Sequence, residues 1–259
     1  MMYRTPKLKN PIIFIHGLLG FGDISIGQWK IKSYFPGIRE YLHRHGNRVL
    51  LAHVHPTRSI RDRATQLKRF INDRFGSEPV HLIGHSMGGL DARFMINQLG
   101  MENQVISLTS IGTPHRGSYF ADWGIRHLSR VLSPILNYFH IPAKAFYDLT
   151  TEQCSQFNEK IQDIPSVRYF SVAGKISAPL LGLEWRLSSK LVGDFEGEND
   201  GVVSVRSAKY GEWCEIWDAD HMNLINWPNR HAKRKGIWQD RSEDYGRLIE
   251  KISLATEAP

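Results

Sequence analysis

The sequence predicts an α/β domain built on a mostly parallel six-stranded sheet with helices on both faces. Short, nearly continuous apolar segments recur along the chain, and stretches with apolar residues at helical spacing alternate with them. Strands covered on both faces show such continuous runs, and alternation with helices is typical of a parallel sheet. No repeat or linker-like stretch divides the 259 residues. A single domain over residues 1–259 is therefore predicted.

Six strands and two helices account for the regular part of this pattern. The predicted strands are residues 11–16, 47–54, 79–84, 105–111, 167–173 and 212–217. Helices are predicted over 64–75 and 88–99, because apolar residues in both stretches recur every three or four positions.

Between residues 118 and 165 the alternation lapses. Apolar residues from Phe120 to Phe139 follow a helical period that Pro134 interrupts and Pro142 ends, so two short amphipathic helices are expected. They either belong to the core or form a helical cap over a site. Residues 176–200 show no strong period and are expected to form an irregular excursion.

The distribution of charge and hydropathy argues against a nucleic-acid-binding protein and against a membrane-spanning protein. The net charge is +7, and residues 30–75 carry 11 Lys/Arg against three Asp/Glu. This segment is compatible with an anionic partner, but its helical spacing favours a solvated helix face, and no nucleic-acid motif accompanies it. The longest uncharged stretches have about 13 residues, short of the ~20 of a membrane-spanning helix. We therefore expect no nucleic-acid partner and no transmembrane segment.

The N-terminal residues and the cysteines bear on the compartment. Basic residues precede the apolar run at residues 11–15, but this run is shorter than a signal-peptide core and no small-residue cleavage site follows. We expect the chain as written to be cytoplasmic, or secreted if a leader was removed. Cys154 and Cys214 lie 60 residues apart, which favours two buried thiols over a disulfide scaffold or a zinc site.

The stretch HLIGHSMGGL, residues 81–90, places Ser86 in a G-x-S-x-G pattern. The pattern follows an apolar strand and opens an amphipathic helix, which is the context in which it forms a nucleophile elbow. Gly84 and Gly88 permit the strained turn, and the N-terminus of the following helix favours negative charge that develops nearby. We predict Ser86 as a catalytic nucleophile rather than an ordinary turn serine.

A serine nucleophile needs a base, and the base needs an acid that orients it. In this arrangement the acid and then the histidine follow the serine along the chain, on loops after later strands. His221 lies just beyond the last predicted strand, which favours it among the 12 histidines. Asp200 heads a strand-like GVVSV run and is preferred over Asp194, which no ordered element anchors, and over Asp218 and Asp220, which are too close in sequence to His221.

Two backbone N–H groups are expected to form an oxyanion hole. One donor should be the amide of Met87, directly after the nucleophile, and the other should come from the loop after the first strand. In FIHGLLG, Gly17 lets the chain turn, so the amide of Leu18 is the second candidate. His16 is interpreted as a brace of this loop.

Several segments, in their order along the chain, resemble the bacterial family I true lipases of the α/β-hydrolase fold. The segments are PIIFIHGLLGFGD, YFPGIREYLHRHG, RDRATQL, VHLIGHSMGGLDARF, SLTSIGTPHRGSYFAD, NDGVVS and DHMNLIN. The resemblance covers residues 11–125 well and 198–226 by motif, whereas 126–197 agree only as a helical cap followed by an excursion. TSIGTPHRGS and NDGVVS are more specific than G-x-S-x-G, which many hydrolases share.

The resemblance implies roles for five residues and a mobile lid. Ser86 corresponds to the nucleophile, Asp200 to the acid and His221 to the base, and the oxyanion-hole amides are those of Leu18 and Met87. The amphipathic helices within about 118–165 correspond to the lid, which closes over an apolar acyl pocket.

The chain also departs from the family at its structural calcium. Many members bind calcium through an aspartate two residues after the catalytic histidine, and here that residue is Asn223. A hard cation needs several oxygen ligands with carboxylates among them, so no calcium site of this kind is expected. No organic cofactor is expected, and the two cysteines do not match the family's disulfide.

The sequence thus predicts a serine carboxylester hydrolase. The favoured interpretation is a lipase that cleaves acylglycerols through an acyl-enzyme. Its substrate would be a lipid or another ester, met at a lipid–water interface in the lipase case. A short-chain carboxylesterase, or an acyltransferase or thioesterase with the same triad, remains an alternative. A non-catalytic hydrolase-like scaffold that binds a lipid or a partner is the alternative from another class.

Overall fold

The computed structural model describes residues 5–18, 20, 24–26, 29–128 and 146–257, without the side chains of 24–26, 29–32, 128 and 184. The strands are β1 Ile12–Ile15, β2 Ile24–Ile26, β3 Trp29–Lys32, β4 Val49–Ala52, β5 Val80–His85, β6 Val105–Ile111, β7 Arg168–Gly174 and β8 Trp213–Trp217. Six of them form a parallel sheet in the order β4-β1-β5-β6-β7-β8, and β2 pairs with β3 as an antiparallel ribbon. The predicted six-stranded sheet is confirmed, with every strand within two residues of its predicted bounds.

The helices of the described residues lie between and around these strands. They are α1 Ile38–Arg44, α2 Ile60–Phe75, α3 Met87–Gln98, α4 Tyr119–Leu128, α5 Thr151–Lys160, α6 Leu183–Glu196, α7 Val205–Ala208, α8 Arg230–Arg234 and α9 Ser242–Thr256. α2 begins four residues before its predicted start, because the Ser59 side chain accepts the Asp62 N–H and caps the helix.

The helices cover both faces of the sheet, as the continuous apolar strands predict. Successive side chains of a strand point to opposite faces. Accordingly, Ile12 and Phe14 of β1 lie in a cluster with apolar residues of α1 and α9. Ile13 and Ile15 lie in a second cluster, with residues of α2 and α3. Two buried layers therefore hold the sheet rigid and fix the loops at the carboxyl ends of its strands.

Two sequence predictions for residues 176–208 are wrong. Residues 176–200 contain the 14-residue helix α6 rather than an irregular excursion. The GVVSV run is not a strand, because Val205 begins the short helix α7 and only Asn199 and Ser204 form an isolated bridge. The Asp200 carboxylate accepts the N–H groups of Val202 and Val203, which removes these donors from any strand ladder.

The predicted cap is described at its two ends. α4 and α5 lie within 118–165, and α4 contacts α6, where the rings of Tyr119 and Phe195 stack 3.8 Å apart. The second predicted amphipathic helix falls mainly within residues 129–145, which lie outside the described residues. The mobile lid therefore stays a prediction.

Of the two predicted buried thiols, Cys154 is buried and Cys214 is half-buried, and both are free. In the part of the chain that the structure describes, no helix combines the length and the hydropathy that a bilayer span requires.

Candidate active site

Ser86 lies on the sharp turn between β5 and α3, at the carboxyl edge of the sheet. Its backbone has φ 53° and ψ −127°, a region that side-chain-bearing residues rarely adopt. The Ser86 N–H bonds to the carbonyl of Ile111 at 2.8 Å, which ties the turn to the end of β6. Such a conformation persists only where its surroundings hold it, and it is typical of a nucleophile elbow.

The glycines around Ser86 are required by the close packing of this turn. A Cβ atom on Gly84 would lie 2.7 Å from the carbonyl carbon of Gly88. A Cβ atom on Gly88 would lie 2.7 Å from the carbonyl oxygen of Ile15. Both distances are too short for real atoms, so any larger residue would push α3 away from β5 and β1.

Asp200 and His221 form a buried, hydrogen-bonded pair at the same edge. The Nδ1 atom of His221 lies 2.7 Å from Oδ2 of Asp200, and the His221 backbone N–H donates to the Asp200 carbonyl at 2.8 Å. Because Oδ1 of Asp200 is occupied by Val202 and Val203, Oδ2 remains for the histidine. This geometry fixes the Nδ1–H tautomer and leaves Nε2 as the basic nitrogen.

The competing acids identified in the sequence are engaged elsewhere. Asp194 pairs with exposed Lys190 at 2.6 Å. Asp218 accepts the Ser177 N–H at 2.9 Å, and Asp220 accepts the N–H groups of the loop that follows His221. The recorded contacts therefore leave Asp200 as the acid that reaches the His221 ring.

Gly112, at the end of β6, brings the pair to the serine. A Cβ atom on Gly112 would lie 3.2 Å from Oδ2 of Asp200 and 3.3 Å from Nδ1 of His221. The preceding residue, Ile111, accepts the Ser86 N–H. The fold therefore gathers Ser86, Asp200 and His221 at one place, although they are up to 135 residues apart in sequence.

Leu18 and Met87 also lie beside Ser86. Met87 is the first residue of α3, so its N–H is one of the helical donors without an intrahelical acceptor. The loop that carries Leu18 passes so close that a Cβ atom on Gly17 would lie 2.8 Å from Cβ of Ser86. The Leu18 side chain packs against the apolar cluster that contains Met87.

A buried arginine holds the loop that contains Leu18. The guanidinium of Arg63 pairs with Asp91 at 2.7 Å and donates to the carbonyl of His16 at 2.6 Å, and both charged side chains are fully buried. Burial raises the pKa of Asp91 to about 6, although Arg63 opposes the rise, so the carboxyl is ionised at neutral pH. The Arg63–Asp91 pair fixes the loop through the backbone of His16.

His16 has the bracing position that the sequence predicts. Its ring nitrogens lie 3.0 Å from the carbonyl oxygen of Val54 and 2.9 Å from that of Gly17. Burial, with Arg63 nearby, lowers the pKa of His16 to about 4, so the ring is neutral and its single N–H donates to one of these two carbonyls.

A chain of hydrogen bonds joins the Gly17 loop to the histidine loop through the residue before the nucleophile. The Gly17 N–H donates to the Tyr34 phenol at 3.0 Å, and this phenol lies 2.8 Å from Nδ1 of His85. Nε2 of His85 lies 3.0 Å from the carbonyl of His221. Burial raises the pKa of Tyr34 to about 12 and, with His221 nearby, holds the pKa of His85 well below its usual value. A neutral phenol and a neutral imidazole satisfy every bond of this chain, with the phenol donating to Nδ1 and Nε2–H donating to the carbonyl.

Sequence reasoning missed Tyr34, Arg63, His85 and Asp91. Tyr34, Arg63 and Asp91 lie in the segments YFPGIREYLHRHG, RDRATQL and VHLIGHSMGGLDARF that carry the resemblance, but no pattern gave them a role. An arginine within an apolar helical period is a sequence signal for a buried ion pair, but only the structure shows which groups it contacts.

The loop after His221 is held by a second buried arginine. Nε and Nη2 of Arg241 lie 3.0 and 2.9 Å from Oδ1 of Asn223, and Nη2 also donates to the carbonyl of Asp218. The Arg241 guanidinium therefore binds the side-chain oxygen of Asn223. In the lipase family that the sequence resembles, the residue at this position is a calcium ligand. In the described residues, no group of three or more His, Cys, Asp or Glu has the geometry of a metal site.

The arrangement has the parts that acyl transfer requires. A hydroxyl stands on a strained turn at a helix N-terminus, and an imidazole oriented by a buried carboxylate lies at the same edge of the sheet. The Gly17 loop passes close to the serine, and the backbone amide of Met87 directly follows it.

Comparisons with known proteins identify relatives of this chain. Residues 11–165 match the sequence model of the palmitoyl protein thioesterase family. Triacylglycerol lipase 2 of Saccharomyces cerevisiae is 30% identical over 88% of this chain and 83% of its own length. A triacylglycerol lipase of Vibrio cholerae is 29% identical over 85% of this chain and 80% of its own. Among solved structures, the mature form of the Bacillus licheniformis lipase BlEst2 has a TM-score of 0.69 and 26% identity over 86% of this chain and 87% of that one.

Proposed function

Because this chain belongs to the palmitoyl protein thioesterase family and to the triacylglycerol lipases, and is a carboxylic ester hydrolase of the α/β-hydrolase fold, we propose that it is a lipase. Its substrates are acylglycerol esters, which it cleaves through a Ser86–His221–Asp200 triad and an acyl-enzyme. The proposal includes membership of the family I true lipases, to which the motifs point. It also includes activity without a metal or an organic cofactor.

The 2.7 Å contact between His221 Nδ1 and Asp200 Oδ2, beside a serine held at φ 53°, carries the proposal. A serine hydroxyl at its ordinary pKa is a weak nucleophile and needs a neighbouring base. Asp200 leaves Nε2 of His221 free to act as that base and stabilises the imidazolium that forms.

The proposed reaction has two halves. Ser86 Oγ attacks the ester carbonyl carbon while its proton passes to Nε2 of His221, and the carbonyl oxygen takes the negative charge. The Leu18 and Met87 amides donate to this oxygen, and each such donor contributes about 10²–10³ in rate. The C–O bond to the alcohol then breaks, and the alcohol leaves with the proton from His221. Water, activated by His221, attacks the acyl-enzyme and releases the fatty acid and free Ser86.

An apolar cluster next to the serine favours substrates with a long acyl chain. It contains Ile60, Met87, Leu90, Ala121, Leu149 and Cys154, with Leu18, Phe94, Phe146 and Phe157 packed against it. Because Leu18 and Met87 also supply the proposed oxyanion donors, an ester carbonyl between them would place its acyl chain against this cluster. α4 and α5, from which two of its members come, are the described ends of the proposed lid.

The match to the palmitoyl protein thioesterase family favours one second candidate, hydrolysis of long-chain acyl thioesters. The triad would act in the same way, with a thiol as the leaving group in place of an alcohol.

Hydrolysis of p-nitrophenyl esters from acetate to palmitate, by wild type and Ser86→Ala, tests the proposal. A lipase should be most active on octanoate or longer esters, and Ser86→Ala should lose essentially all of this activity. A maximum at acetate or butyrate would identify a short-chain carboxylesterase instead. Palmitoyl thioesters cleaved faster than the matched oxygen ester would identify a thioesterase.

A further inference from the structure

The loop after His221 and the helices α6 and α8 enclose a cleft of about 490 Å³, a size typical of small-ligand sites. Its walls include apolar side chains from two directions, Leu183 and Trp185 of α6, and Met222 and Trp227 of the histidine loop. Leu183 is 78% exposed, which is unusual for a leucine that packs only within its own protein.

The rim of this cleft is basic. Arg230, His231 and Arg234 of α8 line it, and residues 221–239 contain four Lys/Arg and no Asp or Glu. Among the described residues, neither Arg230 nor Arg234 has a recorded ion pair with a carboxylate. The cleft therefore combines an apolar wall with cationic side chains that form no ion pair with a described carboxylate, a combination suited to an anionic amphiphile.

One carboxylate, Asp220, also lines the cleft but is already engaged. It accepts the N–H groups of Met222 and Asn223 at 2.9 and 2.8 Å and the Asn229 side-chain amide at 2.7 Å. The Asn229 side-chain oxygen in turn accepts the Ala232 N–H and caps α8. Asp220 thus tethers α8 to the histidine loop, and the two arginines project from a fixed helix.

The position of the cleft assigns it to one side of the substrate. Asp220 and Met222 flank His221, and His221 is the group that returns a proton to the departing alcohol. An alcohol that takes its proton from His221 leaves next to a loop of which Asp220 and Met222 line the cleft. The acyl chain is accounted for on the other side of Ser86, by the apolar cluster that contains Leu18 and Met87.

We propose that the cleft between α6 and α8 is a subsite for an anionic headgroup on the leaving alcohol of an ester lipid. The preferred substrates are then acylglycerol esters that carry a phosphate diester or a similar negative group on the glycerol, and uncharged acylglycerols are cleaved more slowly. This inference rests on the proposed function, because it names the substrate class of the same catalytic site.

Kinetics on monomeric lipids test this subsite. Dihexanoyl phosphatidylglycerol and dihexanoylglycerol carry the same two acyl esters and differ in the anionic headgroup. Wild type should show a kcat/KM about tenfold higher for the phosphatidylglycerol, as expected for two exposed ion pairs. The double variant Arg230→Ala/Arg234→Ala should lose this preference and keep its rate on dihexanoylglycerol.

A matched control removes two exposed arginines from another helix. Arg61→Ala/Arg69→Ala on α2 has the same change of net charge, and neither residue lines the cleft. The control should retain the wild-type preference. Equal rates on the two lipids in wild type, or equal losses in the two double variants, would overturn the proposal.

A binding measurement separates failure of this subsite from failure of the proposed hydrolysis. The ether analogue of the phosphatidylglycerol cannot be cleaved, and its binding to Ser86→Ala is measured by calorimetry. Binding that weakens about tenfold in Arg230→Ala/Arg234→Ala supports the subsite, whatever the esterase assays show. Inorganic phosphate that binds as tightly as the ether lipid would indicate a free-anion site and would overturn the proposal.

Discussion

Replacing Tyr34 with phenylalanine removes one oxygen atom from the centre of the hydrogen-bond chain. That oxygen accepts the Gly17 N–H at 3.0 Å and lies 2.8 Å from Nδ1 of His85. Because Tyr34 is 4% exposed, water cannot readily replace it. An unsatisfied buried polar group costs about 1–3 kcal/mol, so we expect Tyr34→Phe to lower the free energy of unfolding by roughly 2 kcal/mol.

The same substitution should slow catalysis more than it weakens substrate binding. Gly17 precedes Leu18, whose amide is a proposed oxyanion donor, and His85 bonds to the carbonyl of His221. Both groups act on the transition state, so kcat on p-nitrophenyl octanoate should fall about tenfold, a change of roughly 1.4 kcal/mol, with little change in KM.

Tyr41→Phe is the matched control. Its phenol oxygen lies 3.0 Å from Oγ1 of Thr5 in a half-buried contact away from the site. Urea unfolding and steady-state kinetics are measured on both variants. If kcat of Tyr34→Phe falls no further than that of Tyr41→Phe, the chain does not position the active site and the reasoning is refuted.

Three further predictions follow from the buried polar groups. Asp200→Asn should keep the fold but reduce kcat by about 10³–10⁴, because the amide no longer selects the Nδ1–H tautomer; a loss under tenfold would contradict the role of this acid. Burial lowers the pKa of His81 to about 4 from 6.5, so the unfolded chain binds a proton that the native chain excludes, and stability is lost as pH falls between these values. His81→Gln should remove up to about 3 kcal/mol of that loss. Urea unfolding between pH 4 and 6.5 gives the free energy of unfolding as a function of pH, and the same dependence in the variant as in wild type would disprove this prediction. Activity should be insensitive to EDTA, whereas Arg241→Ala should unfold at lower urea, because the guanidinium holds Asn223 and Asp218; rescue of wild-type activity by calcium after EDTA treatment would contradict this.

The strands could be predicted, and Ser86 could be singled out as the candidate nucleophile, because the signals of both are local. The strands β1, β5 and β6 are buried on both faces and are therefore nearly continuous apolar runs, whereas the edge strand β8 is partly exposed. Ser86 sits where one such run, β5, meets a helical period, and its neighbouring glycines are dictated by contacts under 3 Å. The order along the chain then singled out His221 and Asp200 among many alternatives.

α6 was difficult to predict because several of its apolar residues face solvent and only Val192 is fully buried among its described residues. Leu187 is 74% exposed, Leu183 and Phe195 are also exposed, and Gly193 lowers the helix propensity of the segment. A period that buries no stripe is hard to distinguish from a loop. The GVVSV run resembles a strand because it is rich in β-branched residues. It forms no strand, because the Asp200 carboxylate accepts the backbone N–H groups of Val202 and Val203.

The supporting groups of the site depend on contacts between distant parts of the chain. Arg63 reaches the carbonyl of His16 from 47 residues away, and Tyr34 reaches His85 across 51. No short pattern encodes such pairs. Their residues became apparent only when the sheet brought the loops after β1, β5 and β8 to one edge.

The identity of the nucleophile is tested most directly by a fluorophosphonate probe with peptide mass spectrometry. The probe reacts with a serine that a neighbouring base activates. We predict a single adduct on the peptide that contains Ser86, no adduct in Ser86→Ala, and labelling slowed by several orders of magnitude in His221→Ala. An adduct on another serine, or undiminished labelling of Ser86→Ala, would contradict the account.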